Sequence, residues 1–178
     1  DVGIEYDEVG IKVDHNFQTG VKNIYAVGDV NGMCLMGSAA INQGIAAALH
    51  ILGRKDSLED ISYEGIPRAI FTIPEIAGAG LQEWELKEKG IKYKATRIDL
   101  AKTWRGISRR YKDGFVKVLT DKENKLQGIW MVGRDVSELV GMHGILLKEE
   151  LCAHKILSSL FVHPSLSEAL LDASLRLI

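Results

Sequence analysis

A chain of 178 residues leaves room for one large domain or for one and a fraction. Hydrophobic residues at 46% and charged residues at 26% are those of an ordinary globular protein, and a net charge of -2 with scattered Lys and Arg leaves no electrostatic footprint for nucleic acid. No apolar run reaches the roughly 18 residues that a membrane span requires, and Asp1-Val2-Gly3-Ile4-Glu5 has neither the basic head nor the apolar core of a signal peptide. The chain opens without Met, as a fragment or a processed protein does. Cys34 and Cys152 are far apart and share no spacing motif, so reduced, buried thiols and a cytoplasmic setting are expected.

Up to about Gly53, short β-like pieces (Ile11-Lys12-Val13 and Asn23 to Val27) are punctuated by Gly and Asn. A small-residue run from Gly37 to Leu49 then reads as a helix, so strand, Gly-containing turn and helix make half of a βαβ unit. A parallel sheet cannot be completed with so little chain, and the region reads as the tail of a larger α/β domain. The polar segment Arg54 to Asp60 reads as a linker.

From about Ile61 the pattern becomes α+β. Arg68 to Thr72 is a predicted strand stopped by Ile73-Pro74, with Glu75 helping the turn. Helix formers fill Leu81 to Lys89, and Gly90 sits where a C-terminal glycine belongs. Ile91 to Leu100 predicts a strand. Phe115 to Leu119 and Gly128 to Val132 flank a turn-rich Asp121 to Lys125, which is a hairpin signal. Helices are predicted from Ser137 to Glu150, His154 to Leu160 and Ser167 to Leu177. Trp84, Trp104 and Trp130 read as core or interface anchors. His15, His50, His143 and His154 lack a spacing that would put two of them on one helical face with a carboxylate, so no metal site is expected.

Two segments carry chemistry. Tyr25-Ala26-Val27-Gly28-Asp29 ends a strand in Gly-Asp, which delivers a carboxylate where open α/β folds bind ligands. Asp29 can accept hydrogen bonds from a sugar-like hydroxyl, and the next helix offers its N–H groups and positive dipole end to an electron-rich ring edge; a plain turn is the simpler alternative. Phe161-Val162-His163-Pro164-Ser165-Leu166-Ser167-Glu168 places an imidazole five residues before a carboxylate. Two readings of it stand. In one, Glu168 orients His163 and tunes it to move protons at neutral pH. In the other, Ser165-x-x-Glu168 is a capping box that closes the last helix and His163 is a satisfied, semi-buried histidine.

These stretches resemble, in order and spacing, signatures of the flavin disulfide reductases, the lipoamide dehydrogenase and glutathione reductase family. Thr19 to Asp29 is similar to the second FAD-binding motif, Phe71-Thr72-Ile73-Pro74-Glu75-Ile76-Ala77 to the run that opens the C-terminal interface domain, and His163 to Glu168 to the catalytic His-Pro-Thr-x-x-Glu signature. The resemblance implies that Gly28, Asp29, Leu35 and Met36 contact FAD, with Asp29 on its ribityl chain. It implies that His163 is the proton shuttle for the thiols of a disulfide substrate, that Glu168 orients it, that the His163–Pro164 bond is cis, and that the pair serves the active site of a partner subunit. Ser165 replaces the usual Thr, Phe161 stands where lipoamide dehydrogenases usually have another His, and Met36-Gly37-Ser38 replaces Leu-Ala-His. His163 and the terminal Leu177-Ile178 are unlike mercuric reductases, and Leu166-Ser167-Glu168-Ala169 resembles lipoamide dehydrogenase more than glutathione reductase.

The family's Gly-x-Gly-x-x-Gly loops for FAD and NAD(P) and its Cys-x-x-x-x-Cys pair are absent from these residues. The expectation is therefore an α+β interface domain over 61–178, an antiparallel sheet with flanking helices, preceded over 1–55 by a remnant of an α/β FAD-binding domain. It would belong to a homodimeric dihydrolipoamide dehydrogenase-like enzyme that uses FAD and NAD, acts on a small disulfide or dithiol such as lipoamide, and serves a 2-oxo acid dehydrogenase complex, the fragment alone being inactive. The alternatives are a non-catalytic dimerisation module and a glutathione reductase-like enzyme.

Overall fold

The chain folds as two units, Asp1–Tyr63 and Glu64–Ile178, in a computed structural model that describes residues 2–54 and 61–178. Most of the expected linker, residues 55–60, lies outside the described residues.

In the first unit the expected strands do not form. The extended pieces make single antiparallel bridges, Tyr6 to Ile11, Val13 to Thr19 and Gln18 to Tyr25. The chain reverses too often for a ladder: Phe17 and Asn23 have φ of 65°, and turns close from Phe17 N–H to the Asp14 carbonyl and from Ile24 N–H to the Val21 carbonyl. The helical half of the predicted unit does form, as α1, Gly37–Ile51. Its Ala-rich sequence favours the helix, and it ends where Gly53, at φ 68°, donates to the His50 carbonyl while Arg54 N–H reaches back to Leu49.

The second unit is built on a five-stranded, wholly antiparallel sheet in the order β1-β2-β5-β4-β3: β1 Arg68–Ile70, β2 Glu75–Gly80, β3 Tyr93–Asp99, β4 Phe115–Asp121 and β5 Leu126–Gly133. The predicted hairpin is its centre. Asp121 Oδ1 accepts the N–H groups of Glu123 and Lys125, and Asn124 at φ 65° completes the turn. One row of paired side chains, Ala77, Met131, Val116 and Ile98, faces the helices α4 (Ser137–Lys148), α5 (Ala153–Leu157) and α6 (Glu168–Leu175) and forms the core with Ala79, Val118 and Ile129. α4 packs on β1, β2 and β5, and α6 on β3 and β4.

Three expectations change here. The run after Pro74 continues as β2, a strand in the body of the sheet; its Ala and Gly residues carry none of the β-branched bulk that marks a strand in sequence. Those small residues serve packing: a Cβ on Gly78 would lie 2.1 Å from the Trp130 ring, which crosses the sheet there and donates its indole N–H to the Leu81 carbonyl. Glu75 does not support a turn. Its Oε2 accepts the N–H of Ser137 at the start of α4, and that bond holds its carboxyl below the usual pKa. Finally, a short 3₁₀ turn at Leu100–Lys102 and a helix α3, Trp104–Arg109, follow β3 where no element is predicted. α2, Glu83–Glu88, forms within the predicted helix, closed by the capping box of Gln82 and Glu85 and by Gly90 at φ 67°.

Candidate functional site

The segment between α5 and α6 carries His163. Phe161 and Leu166 pack against the core and pin it at both ends, while Leu160, Val162 and His163 project into solvent. The His163–Pro164 bond is cis, as the resemblance implies, and so is Ile73–Pro74.

Glu168 opens α6, and each of its oxygens has a separate partner. Oε2 accepts the Ser165 N–H at 2.7 Å, and Oε1 lies 2.8 Å from His163 Nδ1. Half of the capping box is present and the pairing of Glu168 with His163 is present beside it, while His163 is exposed and not the semi-buried histidine of the second reading. One oxygen makes the Glu-to-backbone half of the capping box, and the other holds the imidazole. The Ser165 hydroxyl takes no part in the box, since it pairs with the Ser167 hydroxyl at 2.9 Å. The carboxylate is largely enclosed, with 15% of its side chain exposed, whereas the imidazole is 58% exposed. The Ser165 N–H and then the His163 ring hold the Glu168 carboxyl below its ordinary pKa, so it is ionised at neutral pH and only accepts. His163 must then donate through Nδ1, which leaves Nε2 of the neutral ring as an acceptor lone pair. Asp172, one turn along α6, is pushed the other way by burial and by the Glu168 charge.

Trp104, the first residue of α3, meets the same imidazole from another side. The ring centroids are 5.7 Å apart at an interplanar angle of 74°, an edge-to-face contact. Trp104 is thus 68% exposed and not a core anchor; Trp84 is exposed as well, and of the three tryptophans only Trp130 packs along the sheet. Trp104 had no motif around it in the sequence that could tie it to His163.

In the first unit, Gly28 and Asp29 begin a 3₁₀ turn, Gly28–Asn31, in place of the expected strand end. Gly28 is buried with φ of 76°, and a Cβ there would come within 3.1 Å of the Ala40 side chain. Its N–H is held by Gln43, whose Oε1 accepts from both Gly28 N–H (2.7 Å) and Asn31 Nδ2 (2.8 Å), and whose amide N–H donates to the Tyr63 hydroxyl (2.8 Å). Gln43 is fully buried and belongs to no motif; a glutamine inside an otherwise small, apolar helix is the one sequence signal of it. Asp29 and Leu35 are exposed and Met36 half-buried at the N-terminus of α1, which has no side-chain cap. Cys34 and Cys152 are free thiols, each half-buried and not fully buried as expected. Among the described residues, no group of three His, Cys, Asp or Glu side chains could hold a metal, and no helix is long and apolar enough to cross a membrane.

Residues 66–174 match the family model described as the pyridine nucleotide-disulphide oxidoreductase dimerisation domain. The chain is 31% identical over 175 residues to the dihydrolipoyl dehydrogenase of Chlamydia muridarum, covering 97% of this chain and 37% of that protein. It is 33% identical over 177 residues to the mitochondrial dihydrolipoyl dehydrogenase of Sus scrofa, covering 98% of this chain and 34% of that one. In structure it is similar to LpdA from Mycobacterium tuberculosis, with a TM-score of 0.87 and 26% identity, covering 99% of this chain and 38% of the other. The chain therefore spans little more than a third of the length of the curated relatives it matches.

Proposed function

This chain belongs to the pyridine nucleotide-disulphide oxidoreductases through their dimerisation domain, and on that premise we propose that it is the C-terminal part of a dihydrolipoyl dehydrogenase-like flavoprotein. In that reading residues 61–178 form the dimer and present His163 and Glu168 to the partner subunit's site, and residues 1–55 complete an FAD-binding domain. The observation that carries it is the Glu168 carboxylate fixed by the Ser165 N–H and held 2.8 Å from His163 Nδ1.

That arrangement suits a proton shuttle. Nε2 of the neutral ring takes a proton from a substrate thiol, and Glu168 stabilises the imidazolium that results. The same Nε2–H then returns the proton to a thiolate in the reverse direction. Exposed Phe71, Ile73, Leu160 and Val162 support a homodimer, since apolar side chains left in water favour a partner surface.

The residues of the first unit fit an FAD molecule. Asp29 projects into solvent to meet ribityl hydroxyls, and the uncapped amides that open α1 beside Leu35 and Met36 can donate to a flavin edge. When bound, FAD supplies the electron relay between dithiol and NAD. The buried Gln43 hydrogen bonds set the backbone that carries Asp29. Lipoamide is the substrate this reading favours, in a cytoplasmic enzyme that serves a 2-oxo acid dehydrogenase complex.

The test is His163→Gln in the flavoprotein that carries this chain. Loss of a general acid–base contribution lowers lipoamide turnover by about 10²–10⁴-fold, with the flavin spectrum unchanged. Near-normal turnover would overturn the catalytic assignment.

A further inference from the structure

We infer that Trp104 is a positioning residue for His163, its indole fixing the plane of the imidazole whose Nδ1 is held by Glu168. The inference rests on the reading of His163 as the proton-transfer residue.

One hydrogen bond does not orient a ring. The Glu168 contact restrains Nδ1, but a hydrogen bond tolerates a range of angles, and rotation about Cβ–Cγ within that range swings Nε2 away from a substrate thiol. The side-chain torsion that allows this is an sp³–sp² one with broad wells, so intrinsic preference does not prevent it. Packing does not prevent it either, because 58% of the His163 side chain is exposed. The indole of Trp104, 5.7 Å away and inclined at 74°, opposes that swing. Transfer of a proton depends on the placement of Nε2, so a restraint on this rotation acts directly on the reaction.

The indole is exposed, but the backbone that carries it is built rigidly. Thr103, just before it, is 2% exposed; its hydroxyl donates to the Leu100 carbonyl at 2.8 Å and accepts the Gly106 N–H at 3.0 Å. Gly106 lies so close beneath this turn that a Cβ on it would sit 1.7 Å from the Leu100 carbonyl oxygen. Leu100 itself is fully buried. The chain therefore spends a buried threonine and a glycine with no room for a side chain on holding a tryptophan at the surface. The ring contact that tryptophan makes is with His163.

The test compares this chain with its Trp104→Ala and Trp104→Phe variants, by NMR relaxation of the His163 ring Cδ2–H and Cε1–H bonds and by indole-to-imidazole proton contacts at one neutral pH. The parent chain should show the contact and a ring as rigid as the backbone around it. Trp104→Ala should increase the fast motion of both ring bonds, with the Glu168 bond to Nδ1 and the amide signals of Thr103–Arg109 in place, and Trp104→Phe should restore the parent values. Unchanged ring motion in Trp104→Ala overturns the inference. So does a change that Trp104→Phe fails to restore, because the indole would then act by supporting α3 or a subunit contact. If His163→Gln kept full turnover in the flavoprotein, the function reading would fail while these ring signals still decided the role of Trp104.

Discussion

His143 on α4 makes the stability of the second unit depend on mild acid. The residue is 4% exposed, its Nδ1 has no hydrogen-bond partner, and burial pushes its pKa down from 6.5 to about 4. Above pH 6.5 the ring is neutral both folded and unfolded and has no effect on stability. Below it the unfolded chain binds a proton that the folded chain refuses, so stability falls as pH falls, by up to about 1.4 kcal/mol per pH unit until pH reaches about 4. Between pH 7 and pH 5 the loss is about 2 kcal/mol, and it approaches about 3 kcal/mol at pH 4. The carboxylates Glu75, Glu83 and Glu168 are depressed below the ordinary glutamate value, so their losses begin below this window, and Asp172, whose pKa burial raises, binds its proton more readily folded than unfolded and so opposes the His143 trend. Urea unfolding at fixed protomer concentration between pH 7 and 5 measures the slope. His143→Leu removes the titrating group and an unpaired buried nitrogen, and should flatten the slope by about one proton while leaving stability at pH 7 within about 1.5 kcal/mol. An unchanged slope in the variant would refute the reasoning.

Two further outcomes are expected. Gly106→Ala should destabilise the second unit by about 2–3 kcal/mol, because the new Cβ would meet the Leu100 carbonyl at 1.7 Å and backbone cannot move aside as a flexible side chain does; a melting temperature equal to that of the parent chain would contradict the packing described around α3. The isolated chain should sediment at twice its own mass at micromolar concentration, and a monomer there would contradict the proposed dimer.

The elements legible in the sequence are those in which local pattern and tertiary demand agree. The β4–β5 hairpin was marked by its turn residues, α1 by its small residues and α2 by Gly90 behind a run of helix formers. β2 was illegible because Glu75-Ile-Ala-Gly-Ala-Gly80 owes its extended form to β1 and β5 on either side and its glycine to the Trp130 ring above it. The strands expected in the first unit failed for the opposite reason, since β-prone residues without a partner ladder make only single bridges.

At the site, the chemistry available is written in the primary structure: a histidine and a glutamate five residues apart across a proline, and a Gly-Asp before a helix. How that chemistry is arranged depends on the folded chain. It divided the two oxygens of Glu168 between a backbone amide and the imidazole, which is possible because a carboxylate has two acceptors and the Glu-to-backbone half of a capping box uses one. It also brought Trp104 to His163 across 59 residues of chain. No local pattern encodes that contact, because it depends on where α3 and the loop before α6 come to rest against one sheet.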